Sequence, residues 1–199
     1  MQAARTIADT PPRRLTTTSS AGTLIRRLRA ARSRTLAFAS DLTGAQHRGP
    51  QLATVNPPLW EIAHLGWFQE YWCLRYRDGN DFAPSLIPAV DALYNSALVA
   101  HGTRWTLPLL PFDAMLSFLD EVLTRVLDRL EHAPEDLTLR YFAELAAAHE
   151  EMHCEAFTCT RQTLGYPAPR DVRKIVQGGA HTGDVTMPGG EYSLGAPPG

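Results

Sequence analysis

The sequence predicts an all-α protein, a four-helix bundle, followed by a short β segment that begins a truncated second domain. Three observations lead there. Four long stretches repeat apolar side chains at helical spacing. Proline stands at the opening of the last three stretches, and Gly165 stands at the end of the fourth. Beyond Gly165 the pattern changes to alternation broken by Gly and Pro, which is strand and turn chemistry.

The first helix is expected from Ser20 to Leu42, with Leu24, Leu28, Ala31 and Leu36 on one stripe. Arg26, Arg27, Arg29, Arg32 and Arg34 fall mostly off that stripe and read as a solvated basic face. The second opens at Asn56-Pro57-Pro58, where Asn can cap and Pro is tolerated in the first turn, and runs to Arg77. Its Trp60, His64, Trp67 and Tyr71 recur at helical spacing. The third spans Pro111 to Glu131 around Met115, Leu119, Val122, Val126 and Leu130. The fourth runs from Pro134 to Leu164, with Leu139, Phe142, Ala146, His149, His153, Ala156 and Thr160 on one face. Between the second and third, Asp78 to Leu110 is long for a bundle connection and is expected to be functional or to hold short elements of its own.

At 199 residues the chain has room for one domain, or for one and the beginning of another. A net charge of −2 gives no reason to expect nucleic acid or an anionic membrane as partner. The three cysteines, Cys73, Cys154 and Cys159, are odd in number and lack CxxC spacing, which fits a reduced cytoplasmic setting. Cys154 and Cys159 read as buried, inert thiols. No apolar run is long enough to span a membrane. Residues 1–19 lack the apolar core of a secretory signal and read as a disordered tail.

The functional signal is His149-Glu-Glu-Met-His153. On a helix each residue turns by about 100°, so these two imidazoles share a face with Cβ atoms ~5–6 Å apart. At that separation they can converge on one metal ion. The string also fits the HExxH pattern of zinc peptidases, but the metzincin continuation would need Gly and His where Ala156 and Cys159 stand. Glu150, Glu151 and Glu155 lie about 100° or 200° around the helix from the histidines and point elsewhere. His64, on the aromatic stripe of the second helix, is the better third ligand. His47, His101, His132 and His181 fall at element ends or in loops and read as ordinary exposed histidines, although His101 can approach the site.

Several motifs together resemble the sulfoxide synthases of ergothioneine and ovothiol biosynthesis. They are His149-x3-His153-x-Glu155, the helix Asn56-Pro-Pro-Leu-Trp60-Glu-Ile-Ala-His64-Leu-Gly-Trp67, and the loop pieces Tyr94-Asn95-Ser96 and His101-Gly-Thr-Arg104-Trp105. Pro188-Gly-Gly-Glu-Tyr-Ser-Leu-Gly195 resembles the entry to their C-terminal domain, which is of the formylglycine-generating-enzyme (FGE-sulfatase) type. The wording is most similar to the selenoneine synthase branch, and the resemblance covers residues 20–199.

The resemblance implies a DinB-like bundle over residues 20–165, a linker over 166–182 and the start of the FGE-type domain over 183–199. It implies non-haem Fe(II) held by His64, His149 and His153, and O2-dependent C–S or C–Se bond formation on hercynine, with a thiol or a selenosugar as donor. Arg104 and Asn95 become candidate substrate-binding residues, Arg104 as a cation for a polar or anionic donor. The resemblance places the catalytic acid–base tyrosine in the C-terminal domain, so this chain is expected to be a fragment, completed by that missing domain or by a second chain. Two other readings stay open: a DinB-fold, zinc-dependent thiol S-transferase, and a non-catalytic, metal-stabilised partner module.

Overall fold

A computed structural model describes residue 17, residues 19–169, residue 179, residues 183–184 and residues 186–192. In chain order the helices are α1 (Ala21–Ala39), α2 (Pro58–Glu70), the short α3 (Val90–Tyr94), α4 (Phe112–His132) and α5 (Leu137–Thr163). The four long ones form the expected bundle. Around it the order is α1, α5, α2, α4, so α2 lies against both α4 and α5 and diagonally across from α1.

Local chemistry sets the helix ends. Ser20 caps α1 by accepting from the Thr23 N–H at 3.2 Å, and Asp136 caps α5 by accepting from the Leu139 N–H at 3.0 Å. Each such cap stabilises by about 1 kcal/mol. At the far end of α5, Gly165 takes φ +66°, and the Tyr166 and Gly165 N–H groups bond back to the Arg161 and Gln162 carbonyls. That is a Schellman turn, and it ends the helix where the glycine implied. At α2 the expectation fails. Pro57 is the capping position, and the Asn56 side chain instead accepts from Arg104.

Leu24 and Leu28 from α1, Trp60 and Ile62 from α2, and Met115, Leu119 and Leu130 from α4 are completely or almost completely buried. Each contributes roughly 1.5–3 kcal/mol of apolar burial. Helix α2 comes so close to α4 that a Cβ on Gly66 would stand 3.1 Å from a ring carbon of Phe118. Only glycine fits that crossing without a shift.

Three further expectations are corrected. The second helix does not run to Arg77: after Glu70 it widens into a π turn, Tyr71–Arg75, with the Tyr76 N–H bonded to the Tyr71 carbonyl. The chain then enters a two-stranded antiparallel ribbon, β1 (Tyr76–Asp78) and β2 (Asp81–Phe82). Tertiary capture ends the helix, because Arg75 is drawn to Asp91 and to the Ala83 carbonyl. On α1, Arg32 is buried and ion-paired to Glu150 at 2.8 Å, while Leu36 is 37% exposed. Arg27 and Arg34 stay at the solvent-accessible surface, as expected, where both pair with Glu151.

The long connection holds β2, α3 and a 3-10 turn at His101–Thr103. Thr17 and Ser19, expected within the disordered tail, both hydrogen-bond to Glu144 on α5; the rest of the tail lies outside the described residues. At the other end, residues 183–184 and 186–192 contain bends at Gly189 and Gly190 and no strand. The remainder of the expected β segment, with most of the linker and His181, lies outside the described residues. Among the described residues no helix is long and apolar enough to cross a membrane.

Candidate metal centre

His64 on α2 and His149 and His153 on α5 meet where those helices pack. One potential ligand atom from each lies within 4.8 Å of the other two. His64 is buried and the α5 pair half-buried.

Two of the rings are fixed from behind. His64 Nδ1 lies 2.8 Å from the Tyr94 carbonyl. A carbonyl only accepts, so Nδ1 carries the proton and Nε2 is the free donor to a metal. His153 Nδ1 lies 2.6 Å from Glu61 Oε1 on α2, and the same reasoning turns its Nε2 inward. Such outer partners set tautomer and ring orientation in metal sites and make the imidazole a stronger ligand. The other Glu61 oxygen is buried with no hydrogen-bond partner among the described residues. The third ring, His149, stacks on Phe68 with centroids 3.8 Å apart.

Electrostatics favours metal over protons. Burial is the main cause holding His64 down to about pKa 4, with the charges of His153 and Arg104 acting in the same direction and the Tyr94 hydrogen bond opposing. Burial, then the neighbouring His153 and His64, takes His149 down to about 2. Both are neutral, as ligands must be. The residues therefore fit a divalent ion: three imidazole rings converge, with the Glu61 side chain close behind one of them. Three protein ligands leave coordination positions open for other groups.

Short element α3 positions the α2 face of the site. It accepts from Trp60 Nε1 at the Leu93 carbonyl, from His64 at Tyr94 and from Trp67 Nε1 at the Asp91 carboxylate. Arg104 closes the back of this layer. Its guanidinium lies 3.8 Å from the Trp60 ring centroid, and Trp60 in turn stacks on His64 at 5.0 Å.

The sequence-derived residues thus have different fates. The three histidines come together. Asn95 lines a pocket beside His64 and His149, with its Oδ1 accepting from the Ala97 N–H. Arg104 is not among that pocket's lining residues and is occupied by Asn56, the Val99 carbonyl and Trp60. His101 is turned to the Val55 carbonyl, and His47 stacks on Phe112. Cys154 is buried beside Thr35 with its thiol pKa raised by burial, whereas Cys159 is exposed and not the buried thiol expected. Sequence reasoning missed Glu61. Its signal was a lone carboxylate within the otherwise apolar run Pro57–Ala63, three residues before His64.

The sequence profile of the DinB superfamily matches residues 27–157, about two thirds of the chain, and includes all three histidines. The chain belongs to the DinB superfamily. Within this DinB bundle the paired face of α5 and the facing stripe of α2 fall inside the matched region. The chain is also similar to hercynine oxygenases. That of Mycolicibacterium smegmatis is 33% identical over 178 residues, covering 87% of this chain and 40% of that protein. Those of Mycolicibacterium thermoresistibile and Mycobacterium tuberculosis are each 35% identical, over 66% and 51% of this chain. The chain spans at most 40% of the length of these relatives.

Proposed function

We propose that this chain is the metal-holding bundle of an Fe(II)- and O2-dependent enzyme that forms a carbon–sulfur or carbon–selenium bond on hercynine. The observation that carries the reading is the convergence of His64, His149 and His153, two of them with their tautomers fixed by Tyr94 and Glu61. The named activity of the relatives gives the acceptor. The resemblance described above gives the donor, a thiol or a selenosugar.

In this reading Nε2 of His64 and of His153, with a ring nitrogen of His149, would hold the ion, which would supply one-electron chemistry with dioxygen when bound. The chain's own contribution is orientation and exclusion. Glu61 and the Tyr94 carbonyl hold two rings in register, Phe68 braces the third, and Trp60 and Trp67 flank His64 on either side. Burial of His64 limits water at the back of the site. No acid–base side chain is assigned among the described residues. The activity proposed is that of the whole protein to which such a bundle belongs.

Anaerobic purification followed by metal analysis tests the reading. The expected result is one iron per chain, with a ferrous spectroscopic signature that changes when hercynine is added. Tight zinc, no iron and transfer of a thiol to an electrophile would overturn it in favour of the DinB-type S-transferase. Supplying the iron-loaded whole protein with a thiol or a selenosugar separates the two donors.

A further inference from the structure

The hydrogen bond that fixes His64 is accepted by a backbone carbonyl, and a carbonyl is aimed only by the segment that carries it. Tyr94 is the last residue of α3, a helix of five residues. The final carbonyls of a helix have no partner within it, so Leu93 and Tyr94 are free to accept from Trp60 and His64 on α2. A helix this short is not stable by itself. Its aim must come from outside.

Two restraints supply it. Near the start of α3, Asp91 is held by Trp67 and twice by Arg75. At the end, the Tyr94 side chain is fully buried, and its hydroxyl accepts from the Leu110 N–H at 2.9 Å. Leu110 directly precedes Pro111, the capping position of α4, and α4 in turn packs on α2 at Gly66. One residue therefore joins the entry of α4 to the ring of His64. The entry of α3 is strained besides: Ala89 takes φ +59°, a left-handed conformation unfavourable to a residue with a Cβ. Such strain persists only where the surroundings over-determine it, and it gathers at functional sites.

We propose that Tyr94 is a positioning residue for the metal centre: its phenol fixes the carbonyl that orients the His64 imidazole toward His149 and His153. The role depends on the three histidines holding a metal and is indifferent to the chemistry that the metal performs. The phenol touches neither the ring nor the ion. Phenylalanine would fill the same space, so a side chain that only packs predicts Tyr94→Phe to be silent at the metal. Coupling of this kind is reciprocal. What the phenol does for the metal, bound metal does for the bond between the phenol and Leu110.

The test titrates the full chain and Tyr94→Phe with Zn(II) and, anaerobically, with Fe(II), each against a competing chelator. Val126→Ala is the control, a buried change roughly 20 Å along α4 from its first residue. Tyr94→Phe is expected to weaken both metals about three- to tenfold, somewhat less than loss of a direct outer partner. Val126→Ala should destabilise the fold without that loss. Exchange of the Leu110 amide is expected to slow by a similar factor when the wild-type chain takes up metal. In the metal-free chain, the His64 Nδ1 proton, followed by NMR, should exchange faster in Tyr94→Phe than in either other protein. Affinity in Tyr94→Phe equal to wild type, or lowered no further than in Val126→Ala, overturns the role and leaves the three-histidine centre standing. Tight zinc without iron, still dependent on the Tyr94 hydroxyl, upholds the role and sinks the iron-dependent reading instead. A wild-type chain that binds neither metal overturns both.

Discussion

His153 on α5 donates from Nδ1 to Glu61 on α2 across 2.6 Å, and Glu61 is only 1% exposed. A carboxylate so far from water persists because a hydrogen-bond donor and a nearby positive charge offset its desolvation. The Arg104 guanidinium interacts with Glu61, and a bound ion would add a second such charge. Glu61→Ala is therefore expected to lower metal affinity about 10–100-fold, the usual effect of removing an outer partner of a ligating histidine. Glu61→Gln keeps an acceptor for Nδ1–H and should fall in between. Competition with a chelator measures both. Unchanged affinity in Glu61→Ala would show that the pair serves helix packing alone.

A second buried carboxylate has a purely structural place. Glu150 is bound by Arg32 and by the Thr35 hydroxyl, and Arg32 also donates to Gln69 and to the Leu119 carbonyl, so α1, α2, α4 and α5 are joined at one point. Glu150→Ala leaves a buried guanidinium without its counter-charge and is expected to cost about 3–5 kcal/mol in denaturant unfolding. Replacing both partners, Arg32→Met with Glu150→Leu, should recover most of that loss, since a well-packed apolar pair avoids the desolvation of two ions. A double variant no better than the single one would argue that the Arg32 bonds to Leu119 and Gln69 matter more than the ion pair.

These two glutamates also show what could be read in the chain beforehand. The bundle and the His149/His153 pair were legible because both depend on local spacing: apolar repeats for the helices, and an i, i+4 interval for the two imidazoles. His64 was legible through its place on an aromatic stripe. Glu61 was not, because a glutamate on a helix normally faces water, and its burial is decided by α5, whose His153 is ninety-two residues away. Arg32 was misread for the same reason, its partner being 118 residues on. The Tyr94 carbonyl is backbone and has no signature in the side-chain pattern. The π turn at Tyr71–Arg75 was hidden because those residues suit an α-helix equally well, and only Arg75's capture by Asp91 decides otherwise.

That capture has a pH signature. Two hydrogen bonds from Arg75 at 2.8 Å hold the Asp91 carboxyl below its ordinary value of 3.8, with Trp67 assisting and partial burial opposing. A depressed folded-state pKa means that the unfolded chain binds the proton first as pH falls. The stabilisation is therefore complete above 3.8 and is lost as pH falls through the lower folded value. Asp91→Asn should be less stable than the native chain at neutral pH, and the gap should close in acid, where the native carboxyl is also neutral. Urea titrations across that range measure it. A gap independent of pH would assign the effect to the Trp67 contact instead.

The assignment of three ligands on two helices makes the sharpest demand on the metal site. His149 and His153 alone offer two nitrogens from one helix, and only His64 brings in α2. His64→Ala is therefore expected to abolish stoichiometric metal binding as completely as His149→Ala, because a three-nitrogen site cannot spare one arm. His101 is committed to the Val55 carbonyl and His47 to Phe112, so neither is placed to replace it. His64→Ala also leaves the Tyr94 carbonyl without its donor, at about 1–3 kcal/mol. Melting is therefore followed together with metal content, and His47→Ala serves as the control for loss of a histidine away from the site. A folded His64→Ala protein that keeps one metal per chain would show that the third ligand is another group, and Glu61, already within reach of His153, would be the first to replace next.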